Sequence, residues 1–213
     1  MRKGIAILAV AFATLGFGNA RFTPPIVGYV QNLPAQQLSP QEKNSLLHMR
    51  EEEKLARDVY LTLYKKWRIP VFRNIAKSEA WHMQMIKLLL DKYHLPDPVL
   101  RTGNRIGYFT NPKLQSLYNQ LVAQGGKSLI DALKVGATIE DLDIKDLQDG
   151  EKETDNRDIQ LVYRNLEKGS RNHMRAFVGW LRRYRVSYTP KYISPAYYRR
   201  IISTPWERGP IVK

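Results

Sequence analysis

The chain has 213 residues, with 34 Lys and Arg against 20 Asp and Glu, a formal net charge of +14 and no cysteine. This length is enough for one domain with a substantial core, and the lack of cysteine excludes disulfides, thiol catalysis and cysteine-held iron–sulfur clusters. Inside a cell such a charge would suggest nucleic acid as a partner. Outside a cell, acidic envelope polymers, lipid headgroups or simply a solvated basic surface are the natural interpretations.

The first twenty residues have the pattern of a secretory signal peptide. Residues 1–3 are a short positive start, residues 4–18 are an apolar run, and residues 18–20 are small. We therefore predict a signal peptide over residues 1–20 and an exported protein, periplasmic or extracellular, with an uncleaved N-terminal anchor as the alternative. Removing these residues takes away two basic groups and no acidic group, which leaves a formal charge of +12.

The rest of the chain is predicted to be helical. Residues 21–38 contain three prolines without a helical period and predict an extended lead-in. Ser39 followed by Pro40 is a helix start signal. Long helices with an apolar period are predicted over about residues 40–67, 71–94, 128–148 and 155–184. A long connection over residues 95–126, with a short helix at 112–122, separates the second long helix from the third.

The predicted fold class is therefore all-α. The arrangement expected is a four-helix bundle over residues 39–185 with a long crossover between its second and third helices. A basic tail with interleaved aromatic residues follows over residues 186–213. We expect this tail to pack along the bundle, in preference to forming a dedicated site for a polyanion.

The second predicted helix contains the most informative pair of residues. Its apolar stripe is interrupted by Glu79 and His82, which lie one turn apart on the same face. Burying an unpaired carboxylate is expensive, so this pair must have a partner. Glu-x-x-His projecting inward from a helix is a ligand pair of di-metal sites in bundle cores.

The other three long helices also have apolar stripes that are interrupted near the middle by potential ligands. Together the four helices offer four carboxylates and two imidazoles, and four carboxylates would balance two divalent cations. A structural polar network without metal is the alternative. The predicted metal ligands are Glu53, Glu79, His82, Glu140, Asp143 and His173.

Several neighbouring polar residues are given no metal-binding role. Glu52 is kept as the alternative to Glu53, because it shares a less apolar stripe of the first helix. The remaining residues are predicted to face solvent or to lie off the apolar stripes, and they are His48, Glu51, Asp141 and Asp146.

At these residues the chain resembles the ferritin-like superfamily, and rubrerythrin-type di-iron bundles in particular. Residues 53–60 carry a glutamate, an alanine three later and a tyrosine seven later, residues 75–82 resemble the second-helix motif, and Glu140-x-x-Asp143 is similar to a paired-carboxylate third helix. The nearest resemblance is to the ferritin-like domain of unknown function 2202 family. It covers roughly residues 41–185, and the segments that carry it are 49–60, 139–144 and 169–177.

The resemblance implies a di-metal carboxylate protein. Two metal ions are expected as cofactors, with iron as the first choice and manganese or zinc as alternatives. Iron would imply oxidation of Fe(II) or reduction of oxygen or peroxide, and a reductase would need an external electron donor, since the rubredoxin-like cysteine module is absent. Ser170 stands where the fourth helix of these proteins usually carries a glutamate, and Asp143 is the residue that could supply the missing carboxylate.

Two other functions are compatible with the same residues. One is a non-enzymatic helical protein that is stapled by metal and binds acidic envelope polymers through its tail. The other is a protein that captures metal without turnover. No nucleic-acid partner is expected for an exported chain, and a homodimer is left open.

Overall fold

The computed structural model describes residues 25–212, and the regular secondary structure over this range is helical, without strands. The predicted all-α class is confirmed. The predicted signal peptide lies outside the described residues. The helices are α1 (Pro25–Asn32), α2 (Pro40–Trp67), α3 (Pro70–Lys92), α4 (Pro98–Arg101), α5 (Pro112–Gly125), α6 (Leu129–Lys152), α7 (Arg157–Arg183) and α8 (Pro195–Ser203).

The predicted extended lead-in is wrong over part of its length, because residues 25–32 form α1. So short a helix gains little from local propensity and depends on packing. Ile26 and Val30, one turn apart, are buried on the side of α1 that contacts α3 and α7. The ammonium of Lys92 donates to the carbonyl oxygens of Val30 at 3.0 Å and Leu33 at 2.7 Å, which satisfies acceptors at the end of α1.

The four long helices begin and end close to where the sequence predicts them. Ser39 is the N-cap of α2: its hydroxyl accepts from the Glu42 amide, and the Glu42 carboxylate accepts from the Ser39 amide. Arg68, in the left-handed conformation with φ 56°, ends α2 and permits a two-residue link to α3. Helix α2 packs against α3 and α6 against α7, and the two pairs meet where α3 contacts α7 and α2 contacts α6.

The core consists of two apolar clusters with a polar layer between them. One cluster includes Tyr60, Phe72 and Phe177, whose rings contact one another. The other includes Leu46 and Ile86 and lies towards the opposite end of the long helices. Along α2, α3 and α7 the predicted metal ligands fall between the residues of these two clusters. On α6, Glu140 and Asp143 lie among the last residues of the first cluster and precede Leu147 of the second.

The crossover between α3 and α6 covers the outer face of α2 and is fixed to it by buried polar groups. The carboxylate of Glu51 accepts hydrogen bonds from the amides of Thr110 and Asn111 and from the Thr110 hydroxyl. Glu51 is 3% exposed, so its predicted solvent-facing position is wrong. Glu51 is buried by a tertiary contact with the crossover. The helical period of the sequence identifies the most apolar face of a helix, but it does not reveal that a connection will cover another face.

The C-terminal tail packs on α6 and α7, as expected. Asp141, predicted to face solvent, is fully buried under this tail. Its carboxylate accepts from the Tyr188 hydroxyl at 2.8 Å and from the backbone amides of Lys191, Tyr192 and Ile193 at 2.5–3.2 Å. Four donors explain how a charged group is tolerated there. Within residues 25–212, no helix has both the length and the apolar composition needed to span a membrane.

Candidate metal centre

All six predicted ligands lie in the polar layer between the two apolar clusters, with exposed fractions of 1–5%. Helix α2 supplies one of them, α3 two, α6 two and α7 one. Three of the six, Glu79, His82 and His173, have ligand atoms within 4.8 Å of one another. The structure therefore brings the predicted side chains into one buried region, and metal binding there stays a prediction.

Glu79 lies between the two imidazoles. Its Oε2 is 2.8 Å from His82 Nδ1, and its Oε1 is 2.9 Å from His173 Nδ1. Each of these nitrogens also faces a second carboxylate: His82 Nδ1 is 3.2 Å from Glu53 Oε2, and His173 Nδ1 is 3.3 Å from Glu140 Oε2. The layer thus contains two similar halves, each with one imidazole and one carboxylate of its own, that share the carboxylate of Glu79.

Of these four short contacts, only that between His82 Nδ1 and Glu53 Oε2 has the geometry of a hydrogen bond. Within the described residues, the buried polar atoms of the six ligands that lack a hydrogen-bond partner are Glu53 Oε1, Glu79 Oε2, Asp143 Oδ1 and His173 Nδ1. Buried polar groups almost always have partners, so four orphans in one layer require an explanation. They are nitrogen and oxygen donors of the kind that hold divalent transition-metal ions.

Other residues hold the ligands by their remaining atoms. The Ser78 hydroxyl is 2.9 Å from His173 Nε2, and the Tyr60 hydroxyl donates to Glu140 Oε1 at 2.5 Å. The Ser170 hydroxyl donates to Asp143 Oδ2, which leaves Oδ1 free to act as a ligand. Partners of this kind orient metal ligands and set their basicity. Ser170 therefore positions the carboxylate of Asp143, the residue predicted to replace the glutamate that is missing from the fourth helix.

Gly169 makes room for the imidazole of His82. A Cβ at position 169 would lie 2.4 Å from His82 Nε2 and 2.7 Å from Cε1, much closer than any real contact. Sequence reasoning gave no role to this residue. Its signal is a glycine inside a helix, where glycine has a cost in stability and needs a packing reason.

The charges of the layer are strongly coupled. Burial disfavours ionised Glu79, but His173 and His82 outweigh burial and hold the pKa of Glu79 well below its usual range. Burial disfavours the charged imidazoles as well, but the neighbouring carboxylates outweigh it. They raise the pKa of His82 to about 10, and they also raise the pKa of His173.

The remaining carboxylates of the layer behave in the opposite way. Burial raises the pKa of Glu53 to about 7, although His82 opposes this shift. Burial raises the pKa of Glu140 to about 7 as well, against the effect of His173. Burial and the nearby carboxylates, first Glu53, raise the pKa of Asp143. Without a metal ion, burial therefore favours the protonated forms of Glu53, Glu140 and Asp143.

An apolar pocket of about 330 Å³ reaches the centre at His82. Its lining includes Trp81, which is partly exposed, and its walls come from α1, α3, α7 and the end of the tail. The apolar lining residues are Ile26, Trp81, Met85, Leu166 and Pro210. Such a pocket gives a small uncharged molecule access to one side of the layer.

A second group of potential ligands lies beside the centre and was missed by sequence reasoning. His48, Glu52 and Asp146 have ligand atoms within 4.8 Å of one another. Glu52 is buried, and Asp146 is half-buried instead of facing solvent as predicted. Burial and the charge of Glu52 raise the pKa of Asp146 to about 7. The i,i+4 spacing of His48 and Glu52 was the available signal, but Asp146 comes from another helix.

Comparisons with known proteins give a family and relatives. The model of the family described as "Uncharacterized protein domain (DUF2202)" matches residues 42–205. The Uncharacterized protein MJ0754 of Methanocaldococcus jannaschii is 59% identical over 181 residues, which is 85% of this chain and 97% of the relative. The crystal structure of hypothetical protein MJ0754 from Methanococcus jannaschii DSM 2661 matches with a TM-score of 0.80 and 59% identity, over 82% of this chain and 99% of that one. The family match continues through α8, so the predicted limit of the resemblance at residue 185 was too early.

Proposed function

This chain belongs to the DUF2202 family, and we propose that it is a ferritin-like four-helix bundle whose polar layer holds two metal ions, with iron as the first choice. Its proposed activity is oxidation of Fe(II), or reduction of oxygen or peroxide with an external electron donor. We propose further that it works outside the cytoplasm, in the periplasm or the extracellular space. Manganese and zinc are alternatives on ligand type alone.

The position of Glu79 carries this proposal. Its two carboxylate oxygens face different imidazoles, as expected of a carboxylate shared by two ions. His82 and Glu53 would complete one half, and His173 and Glu140 the other. The orphaned atoms of the layer support occupation by cations, because a cation would satisfy each of them.

The charge of the layer also favours metal over a purely structural network. Four carboxylates and two neutral imidazoles balance two divalent ions. In the absence of metal, burial raises the pKa values of Glu53, Glu140 and Asp143 and so disfavours their ionised forms. A network kept only for stability would more simply be replaced by apolar residues.

Bound iron would supply the redox chemistry, and the protein would supply position and access. Tyr60 restrains Glu140 by its hydrogen bond, and Ser170 restrains Asp143. The apolar pocket beside His82 suits a small uncharged oxidant such as dioxygen. The two apolar clusters on either side keep bulk water away from the layer.

Metal content per chain is the measurement that tests this proposal. The purified protein would be loaded with Fe(II) without oxygen, freed of loosely bound metal and exposed to air. About two tightly held irons per chain are expected, and Fe(II) oxidation would then be followed with oxygen and with peroxide as separate oxidants. A helical protein that retains no metal under these conditions, with iron, manganese or zinc, would overturn the proposal.

A further inference from the structure

The cluster of His48, Glu52 and Asp146 lies at the seam between α2 and α6, beside the polar layer. Glu52 Oε2 is 3.4 Å from His48 Nε2, and the ligand atoms of all three residues lie within 4.8 Å. The three residues belong to neither half of the proposed di-metal site. They need an explanation of their own.

The burial of Glu52 is not explained by hydrogen bonds. The residue is 97% buried, and both of its carboxylate oxygens lack a hydrogen-bond partner among the described residues. Its neighbour Glu51, equally buried, accepts three hydrogen bonds from the crossover. A buried carboxylate without donors is costly, and a cation held between Glu52, His48 and Asp146 would satisfy both oxygens.

The cluster connects the protein surface with the buried centre. The side chain of His48 is 42% exposed, whereas that of Glu52 is 4% exposed. Beyond Glu52, towards the polar layer, Asp143 and Glu53 each have a carboxylate oxygen without a hydrogen-bond partner within residues 25–212. Glu52 lies close enough to repel negative charge on both of these carboxylates. Ligand atoms therefore follow one another from solvent to the polar layer.

We propose that His48, Glu52 and Asp146 bind one divalent transition-metal ion at the α2–α6 seam and pass it to the buried centre. One imidazole and two carboxylates suit Fe(II), Mn(II) or Zn(II). An acidic opening also raises the local concentration of cations. Cation binding stands on the geometry of these three residues alone, while the delivery role rests on the proposed function of the centre.

The first test counts cobalt(II) ions bound per chain by equilibrium dialysis, with visible absorption as the signal of coordination. The wild type is expected to bind one more ion than the double variant Glu52→Gln/Asp146→Asn. The matched control is Asp149→Asn, which removes one negative charge from α6 at a residue that pairs with Lys145 and Lys152. It is expected to bind as the wild type does. Equal numbers of ions in wild type and double variant would overturn the proposal.

The variant Glu79→Gln separates this proposal from that of the buried centre. It is expected to lose the ions of the centre and to keep the ion at the seam. If Glu79→Gln binds as the wild type while the double variant loses one ion, the centre fails and the seam site stands. If only Glu79→Gln loses ions, the seam site fails and the centre stands.

Delivery is tested by the rate at which the centre fills, followed by stopped-flow absorption at limiting cobalt(II). In the double variant the centre is expected to take up cobalt(II) about tenfold more slowly, because the acidic opening no longer concentrates cations. In Asp149→Asn the rate is expected to stay within about twofold of that of the wild type. An unchanged rate in the double variant would overturn the delivery role.

Far-UV circular dichroism checks the fold of each variant. If the double variant does not fold, Asp146→Asn alone is used for the same comparisons, because Asp146 is only half-buried.

Discussion

Helix α2 buries charged residues on two sides, and the two sides are treated differently. Towards the crossover, Arg50 forms a two-pronged ion pair with Asp97, at 3.0 and 2.8 Å, and Lys54 pairs with Asp58. Towards the polar layer, Glu53 leaves an oxygen without a hydrogen-bond partner in the described part of the chain.

The difference teaches that burial alone does not separate structural charge from functional charge. Both sides of α2 are almost completely inaccessible to solvent. On the crossover side every charge has its partner within the protein, so nothing further is needed there. On the inner side, several buried carboxylate oxygens have no hydrogen-bonding partner among the residues that the structure describes, as expected of a site that binds a cation.

Glu79→Gln should produce the largest effect on the inner side. The substitution keeps the size of the side chain but removes the carboxylate that faces both His82 and His173. Metal affinity is expected to fall by more than about 100-fold, since even outer partners of metal ligands are worth 10–100-fold. Competition with a chelator measures this affinity. Asp91→Asn, an exposed acid on the same helix that pairs with Lys87, is the control and should leave it unchanged.

Lys54→Met should affect stability and leave metal content as it is. It removes the ammonium partner of the buried Asp58, which keeps Arg57 as its second partner. The expected cost is therefore about 3 kcal/mol, the lower end of the range for breaking a buried pair from one side. Urea denaturation of the metal-free protein measures the loss. The control Lys87→Met breaks an exposed pair and should cost less than about 1 kcal/mol. A loss of metal in Lys54→Met with the fold intact would show that the two sides of α2 are not independent.

The two sides should also respond differently to pH. In the metal-free protein, the pKa values of Glu53 and Glu140 are raised from 4.5 to about 7. Their contribution to stability is complete below pH 4.5, where both states are protonated. It is lost as pH rises towards 7, because the unfolded chain gives up these protons first.

Metal reverses this dependence, because it binds the ionised carboxylates. The difference in Tm between metal-loaded and metal-free protein should therefore grow between about pH 5.5 and 7.5. Differential scanning calorimetry at several pH values measures it. Glu79, whose pKa is lowered, contributes stability above 4.5 that is lost only in acid. A Tm difference that stays constant over this range would contradict the assignment of Glu53 and Glu140 as ligands.

Ser170→Ala should give the smallest effect and the finest test of the inner side. The hydroxyl holds Asp143 by one oxygen, and its removal leaves the carboxylate free to rotate. Metal affinity is expected to fall about tenfold, the lower end of the range for such partners. Ser116→Ala, at an exposed position on α5, is the control. An affinity equal to that of the wild type would mean that the Ser170 hydroxyl does not position a metal ligand.

The sequence was sufficient for the four long helices and for the residues of the polar layer. Each long helix has one dominant apolar stripe, and a charged residue within such a stripe must lie in the core. Glu79 and His82, on the same stripe of α3, needed no knowledge of other helices to be identified. The same reasoning found Glu53 and His173, and all four are buried in one layer.

The remaining buried charges could not be predicted this way. Glu51 and Asp141 lie on second faces of their helices, which are covered by the crossover and by the tail. Which connection covers which face depends on contacts between residues far apart in sequence. The seam of Glu52 and Asp146 was missed for the same reason, since Asp146 looks like a surface acid on its own helix and Glu52 was considered only as the alternative to Glu53. Helix α1 was missed because its stability comes from α3 and α7.

The hold of the tail on Asp141 has a consequence for the order in which the fold can be completed. The amides of residues 191–193 are three of the four donors to this buried carboxylate, and they are synthesised 50–52 residues after Asp141. Until they are released, α6 carries on its outer face a carboxylate that lacks most of its partners. The long helices can associate earlier, but the outer face of α6 becomes fully compatible with burial only after residues 191–193 have been synthesised.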